Sequence, residues 1–222
     1  MKIFTMILCS LLPLMALLWL PSNGAAQGSV SLGCGCSKQD TTDLESRIKQ
    51  VEAAIKEYEA LIKEWEVKEK GAKEPLILTH EQRGSVQGSV GFRMSTVRTA
   101  NARSFGAETD ATCTTSIDAS ATPCLRGALQ DHESVHKKAC DANKSSNPFV
   151  DWRDKQRVVD YMKEEQAGYH KELDRLNEEV NKMKKFCSLD PSTRALMEQA
   201  TAQKQRLEEA SARVEKYAKT LR

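Results

Sequence analysis

Residues 122–140 read TPCLRGALQDHESVHKKAC and contain an HExxH motif at positions 132–136. Thr122 followed by Pro123 is a helix-start signal, because the threonine can cap the first turn and proline fits the first helical position. No further proline interrupts this stretch. Residues four apart lie on one face of a helix, so the imidazoles of His132 and His136 could reach one metal ion. The stretch therefore predicts a metal-binding helix.

The chemistry of this motif favours zinc, Zn2+, as the bound ion. Zinc accepts nitrogen and oxygen ligands in tetrahedral geometry and lowers the pKa of bound water to about 7. Glu133 lies on the flank of the two histidines, where such a water would sit. The alternative interpretation is a surface helix with two solvated histidines. A third ligand is needed to complete the site.

A second helix, predicted over residues 151–187, supplies that ligand. Its apolar stripe recurs at alternating four and three residues, and Glu165 falls on the stripe whereas Glu164 lies off it. A carboxylate in an apolar stripe is costly unless it is paired or bound to a metal. Glu165 is therefore the expected third ligand, with Glu164 as the alternative. A solvated glutamate paired to a lysine is the other interpretation.

The two motifs together carry a resemblance over roughly residues 120–176. The HExxH motif is followed by a helical Glu-x-x-small-Tyr motif, which reads EQAGY at residues 165–169. This combination resembles the gluzincin branch of the zincin metallopeptidases, and it is most similar to the small, minimal members of that branch. Gly168 stands where alanine is usual. A register that starts at Glu164 restores the alanine, so both registers stay open.

The resemblance implies a zinc-dependent hydrolase of peptide or amide bonds. It implies that His132, His136 and Glu165 are zinc ligands and that Glu133 is the general base. Tyr169 could donate a hydrogen bond to an oxyanion or orient a ligand, or it could be a core tyrosine of the stripe. Tyr161 is a second candidate for that role. The substrate would be a protein, a peptide or a peptidoglycan stem peptide.

The sequence before the motif begins with a predicted signal peptide, residues 1–26. Lys2 precedes an apolar run, and small residues up to Ala26 offer a cleavage site. We expect an exported protein, periplasmic or secreted, that would be attached to a membrane only if the signal stays uncleaved. Residues 27–42 are rich in glycine and serine and predict a flexible leader.

Six cysteines follow the predicted cleavage site, an even number that suggests disulfides in an exported chain. Two of them bracket the HExxH helix, and bridges from its ends to Cys113 and Cys187 would clamp it to its neighbours. Cys34 and Cys36 would then pair with each other or between chains. A cysteine-ligated metal site is the weaker alternative. The six candidates are Cys34, Cys36, Cys113, Cys124, Cys140 and Cys187.

Heptad patterns at both ends predict a mainly α fold. Residues 43–72 form one heptad helix, which could pack within the chain or bind a partner. The short turn before a C-terminal heptad helix, residues 188–222, predicts a long antiparallel hairpin with the helix over 151–187. A coiled-coil homo-oligomer or a helical partner would fit the same patterns.

The zincin-like region, residues 73–187, opens with the only stretches of strand character. Residues 75–79 and 90–97 contain apolar and β-branched runs and predict a small sheet, with residues 112–121 as a loop. Zincins place such an edge strand above the HExxH helix, where it pairs with an extended substrate. A partly ordered linker is the alternative. His80, in this region, and His170 are expected at the surface.

The composition argues against nucleic-acid binding. The formal charge is only +2, and no basic patch with interleaved aromatic residues occurs. Two other functions remain open from the sequence. The chain could be a non-catalytic coiled-coil scaffold of the cell envelope or of secretion, or a peptidase toxin domain delivered to neighbouring cells.

Overall fold

The computed structural model describes residues 34–143, 154 and 157–221; the predicted signal peptide and residues 27–33 lie outside them. The described chain is mainly helical, with a small two-stranded antiparallel sheet, as the heptad patterns predict. The elements are α1 (Lys38–Gly71), α2 (His80–Thr96), β1 (Ala107–Thr109), β2 (Thr115–Ile117), α3 (Pro123–Asn143), α4 (Val158–Cys187) and α5 (Pro191–Thr220).

The heptad face of α1 packs against α4 in the same chain. Leu44, Val51 and Tyr58 on this face are buried. The two helices are antiparallel, because the Cys36–Cys187 disulfide joins the start of α1 to the end of α4, whereas Arg157 Nη1 lies 2.6 Å from Glu69 Oε1 at the opposite end. The intrachain interpretation of this heptad is therefore confirmed. The predicted flexible leader is wrong for its final residues, since α1 begins at Lys38.

A buried ion pair links α1 to α4 halfway along their contact. Arg47 donates to both carboxylate oxygens of Glu172, over 2.5 and 3.0 Å, and the Glu172 side chain is fully buried. Burial acts to raise the pKa of Glu172, but Arg47 and His132 outweigh it and hold that pKa at about 2. The carboxylate is therefore charged and depends on these partners.

Replacing Arg47 by methionine should destabilise the protein strongly. The substitution keeps an apolar stem but leaves Glu172 without its bidentate partner, which costs about 3–5 kcal/mol of unfolding free energy for a buried charge. The loss of unfolding free energy is measured by urea denaturation monitored by circular dichroism. Lys63→Met, which removes the exposed Lys63–Glu59 pair of the same helix, is the control and should leave the midpoint unchanged. Equal midpoints for both variants would contradict the buried-charge argument.

Helix α3 packs against α4 and carries the HExxH motif on its inner face. Its start agrees with the Thr122-Pro123 signal, and it runs three residues past Cys140. Leu125, Ala128 and Leu129 on the inner face join the core that α1 and α4 share. The α4 helix begins at Val158 rather than near residue 151, and of residues 144–157 only 154 and 157 are described.

The strands predicted over residues 75–79 and 90–97 are wrong. Residues 80–96 form α2, and residues 75–79 before it do not form a strand. A capping box starts the helix: the Thr79 hydroxyl accepts from the Gln82 backbone N–H, and the Gln82 side chain accepts from the Thr79 backbone N–H. Val86 and Val90, four residues apart, then turn one face into the core. Local capping and helical spacing thus outweigh the β-branched composition.

The small sheet forms farther along the chain and lies against α3. Strand β1 pairs antiparallel with β2, with Glu108 opposite Ser116, and both strands contact α3. Residues 115–117, predicted as part of a loop, are therefore a strand. A short strand therefore lies beside the HExxH helix, but the residues that form it are not those predicted.

Three disulfides connect the described cysteines, and two features of the predicted pairing are wrong. Cys113–Cys140 ties the end of α3 to the β1–β2 turn, as one of the proposed clamps required. Cys124 pairs with Cys34, and Cys187 pairs with Cys36, so Cys34 and Cys36 do not bridge each other. Cys34 and Cys36 can form these two bridges because the start of α1 lies beside the start of α3 and the end of α4. Three disulfides indicate an oxidising, exported environment.

The predicted hairpin of α4 and α5 is wrong. Helix α5 starts at Pro191 with Asp190 as its cap, as its sequence indicates, but none of its residues is buried. It therefore does not pack along α4, whose apolar face is already covered by α1 and α3. Within the described ranges, no helix is long and apolar enough to span a membrane.

Candidate metal centre

The two histidines of the motif meet in a buried position on α3. Their Nε2 atoms lie 3.1 Å apart, and both imidazoles are more than nine-tenths buried. Glu133, between them in sequence, is equally buried. Two ring nitrogens this close need a proton or a cation between them, since two lone pairs would repel. The buried His132, Glu133 and His136 group could therefore hold a metal ion.

Both candidate carboxylates from α4 reach the histidines, but at different atoms. Glu165 Oε2 lies 3.8 Å from His132 Nε2 and 3.5 Å from His136 Nε2, so it faces the point between the rings. Glu164 Oε1 lies 2.6 Å from His136 Nδ1, on the far side of that ring. Glu165 thus shares the inner position with both Nε2 atoms, whereas Glu164 braces one imidazole from behind.

His132 has a matching carboxylate behind it. Glu172 Oε2 lies 3.2 Å from His132 Nδ1, although off the line of a hydrogen bond. Since Glu172 is held by Arg47, this carboxylate connects the α1–α4 core to the site. Each histidine therefore has its Nε2 directed inward and its Nδ1 beside a glutamate, an arrangement that fixes ring orientation and raises ligand basicity in metal sites.

The electrostatics of the group favour a positive charge at its centre. Burial lowers the pKa of His136, but the neighbouring Glu164 and Glu165 more than compensate and raise it to about 10. The pKa of His132 is raised in the same way by Glu165 and Glu172, against the effect of burial. Burial alone would raise the pKa of Glu165, yet the two histidines hold it well below its ordinary value. The cluster is thus negatively charged unless protons or a cation neutralise it.

Gly168 allows α3 to approach α4 this closely. A Cβ atom at this position would lie 2.9 Å from His132 Nε2 and 3.0 Å from its Cδ2, closer than side chains tolerate. Gly168 therefore has a packing role in the contact between α3 and α4.

Substituting Gly168 by alanine should weaken metal binding by at least about tenfold, because the added methyl displaces a ligand ring that its neighbours otherwise position. Competition with a chromogenic chelator measures the affinity. Gly84→Ala is the matched control, since nothing lies within 4 Å of a Cβ at that helical position. It should leave metal affinity unchanged and slightly stabilise the fold. Unaltered affinity in Gly168→Ala would contradict the close-approach argument.

The Glu133 carboxylate has a partner that sequence reasoning missed. Thr109 Oγ1 on β1 donates to Glu133 Oε2 over 2.8 Å, and both residues are buried. Thr115 on β2 lies behind it, with the two hydroxyl oxygens 3.0 Å apart. The small sheet therefore positions the glutamate. No local signal marks Thr109 in the sequence, because its contact joins elements 24 residues apart.

A cleft of about 300 Å³ opens onto these side chains. Helix α2 forms one wall through Val90 and Met94, and β1 forms another. The predicted residues that line the cleft are His132, Glu133, His136, Glu165 and Tyr169. Glu164 does not line it, in agreement with its position behind His136.

The two tyrosines singled out in the sequence have different surroundings. The Tyr169 ring stands edge-on to His132, with centroids 4.5 Å apart, and its hydroxyl lies 3.7 Å from Met94 Sδ. Burial and the nearby Glu165 raise the Tyr169 pKa, so the hydroxyl keeps its proton. Tyr161 is fully buried, accepts from Gln87 Nε2 and does not line the cleft. His80 and His170 are exposed, as expected.

No protein-family model, curated protein or solved structure gives a significant match to this chain.

Proposed function

We propose that the protein is an exported zinc-dependent hydrolase of peptide or amide bonds. The observation that carries the proposal is the convergence of three donor atoms, His132 Nε2, His136 Nε2 and Glu165 Oε2, at the floor of a cleft. Glu133 lies beside them and is held by Thr109. The resemblance of the two motifs to gluzincins supports the same activity, without establishing membership of that family.

The donor set fits zinc in both size and chemistry. Ligand atoms at 2.0–2.2 Å from a tetrahedral centre lie about 3.3–3.6 Å from one another. The three separations here, 3.1, 3.5 and 3.8 Å, bracket that value. Two imidazoles with one carboxylate suit zinc, whereas magnesium and calcium prefer oxygen ligands alone. Three protein ligands would leave a fourth coordination position facing the cleft, as catalytic zinc sites require.

Each residue then has a defined role. Zinc, when bound, would polarise the substrate carbonyl and make water more acidic. Glu133 would accept a proton from the attacking water and pass it to the leaving amine. Glu164 and Glu172 would keep the two imidazoles oriented with Nε2 inward. The protonated Tyr169 hydroxyl is the candidate donor to the oxyanion, provided that substrate displaces its contact with Met94.

The outer edge of β1 offers a binding surface for an extended peptide. The Asp118 N–H donates to the Gly106 carbonyl, and the Asp110 N–H donates to the Thr114 carbonyl. Alternate residues of an antiparallel ladder face the partner strand, so the main-chain groups of Ala107 and Thr109 face the opposite edge. In the described part of the chain no strand covers that edge, and β1 lines the cleft. A substrate could therefore add a strand there.

Metal analysis together with a cleavage assay tests this proposal. The purified chain should contain about one zinc per molecule, as expected for a three-ligand site, and should cleave members of a peptide library or purified peptidoglycan. His132→Ala and His136→Ala should lose both the metal and the activity. His80→Ala and His170→Ala, which remove exposed histidines, serve as controls for metal content. A chain that binds zinc but cleaves neither class of substrate would refute the hydrolase and leave a structural metal site.

Thr109→Val should lower the catalytic rate about 10- to 100-fold with zinc content unchanged. The isosteric valine removes a buried hydrogen bond to a charged carboxylate, worth about 1.5–3 kcal/mol. The effect should appear in kcat rather than KM, because the hydroxyl acts on Glu133 and not on substrate. Thr109→Ser, which retains the donor, should recover most of the rate. If valine and serine variants are equally impaired, packing rather than the hydrogen bond explains the loss.

A further inference from the structure

Helix α5 presents an apolar stripe that nothing in the described part of the chain covers. The stripe, called here the α5 seam, keeps alternating spacings of four and three residues over about seven turns. Its large side chains are between 66 and 88% exposed. The seam consists of Leu196, Ala200, Gln203, Leu207, Ala210, Val214, Tyr217 and Leu221.

The spacing is that of a coiled-coil interface. Apolar residues that repeat every 3.5 positions form a narrow seam suited to one partner helix, whereas a helix that lies on a membrane carries a wider apolar face. Two alanines and Gln203 also make the seam less hydrophobic than a membrane-binding face requires. A helix of about 45 Å, at 1.5 Å per residue, is the expected partner in length.

The charges beside the seam define the chemistry of that partner. The positions flanking the seam include three cations, Lys204, Arg206 and Arg213, and no acidic residue. All glutamates of α5 lie on the remaining face. Flanking positions form the interhelical ion pairs that select coiled-coil partners. In a second copy of α5 they would meet other cations or neutral residues, so self-pairing gains no ion pair.

We infer that α5 is a docking helix for a different protein, one that presents a heptad helix with glutamate or aspartate at its flanking positions. Because the docking surface shares no residue with the metal centre, this inference is independent of the proposed hydrolase activity.

Two synthetic four-heptad peptides test the inference against the full purified chain. Both carry leucine in the seam; one has glutamate and the other lysine at every flanking position. Fluorescence anisotropy should detect binding of the glutamate peptide with at least about tenfold higher affinity than the lysine peptide. Added salt should weaken the binding. Equal affinities, or no binding of either peptide, would overturn the inference.

Variants of α5 sharpen the test without disturbing the core, since their positions are exposed. Leu207→Asp with Val214→Asp should abolish binding of the glutamate peptide. Arg206→Glu with Arg213→Glu should reverse the preference in favour of the lysine peptide. Two other occupants of the seam are tested separately. Light scattering detects a second copy of the chain, and binding to anionic phosphatidylglycerol vesicles detects a membrane surface. A dimer that the aspartate variant dissociates, or vesicle binding without peptide binding, would overturn the inference.

Discussion

Replacing Glu133 by glutamine should abolish most hydrolysis and leave zinc in place. The amide keeps the shape of the side chain and can still contact Thr109, but it cannot accept a proton from water. General acid–base catalysis contributes about 10²–10⁴-fold, so the rate should fall by that factor. Zinc content, measured by mass spectrometry on the same sample, should remain near one per chain, because Glu133 is not among the three proposed ligands.

A second carboxylate on α3 provides the control for this substitution. Asp141 is exposed and pairs with Lys137, outside the cleft. Asp141→Asn should therefore retain both metal and rate. If Glu133→Gln cleaves peptides as fast as the parent, Glu133 is not the base and the proposed mechanism fails. If the variant instead loses zinc, Glu133 itself is a ligand, as the compact His132, Glu133 and His136 grouping would also allow.

The sequence predicted that His132, His136 and Glu165 lie close together because the information for this arrangement is local. The four-residue spacing of His132 and His136 places both rings on one helical face, and the stripe on α4 places Glu165 toward that face. The same reasoning could have found Glu172, which lies two turns after Glu165 and hence on the same side of α4. Thr109 and Arg47 could not be found in this way, because their contacts join distant segments.

Helix partners were the weaker part of the prediction. A heptad pattern indicates which face of a helix is apolar, but it does not indicate which other helix packs against that face. The stripes of α1, α4 and α5 are alike in spacing, yet α1 and α3 cover α4, and α5 stays exposed. The disulfides decide part of this arrangement, since Cys36–Cys187 joins the start of α1 to the end of α4. Six cysteines allow 15 pairings, so that constraint was not available from the sequence.

Helix α2 shows how composition can mislead. Its valines and glycines suggested a strand. Thr79 and Gln82, three residues apart, form a capping box, and this spacing is a signal for the start of a helix. The consequence is functional, because Val90 and Met94 on α2 form a wall of the cleft. A strand in their place would have left that side of the site without its present lining.

Substituting Glu165 by alanine should release the metal, whereas Glu164→Gln should only weaken its binding. Glu165 Oε2 lies within 3.8 Å of both inward nitrogens, so its loss leaves two ligands and an open site. Glu164 reaches His136 at Nδ1, on the far side of the ring, and loss of such an outer partner typically costs 10–100-fold in metal affinity.

Chelator competition should therefore show no stoichiometric zinc in Glu165→Ala and a weaker but complete site in Glu164→Gln. The comparison is internally controlled, because the two residues are adjacent on α4 and both side chains are largely buried. If the order of the two effects were reversed, the alternative register that begins at Glu164 would be correct. If neither substitution changed zinc binding, the third ligand would have to come from Glu133, and Glu133 could not then act as the general base.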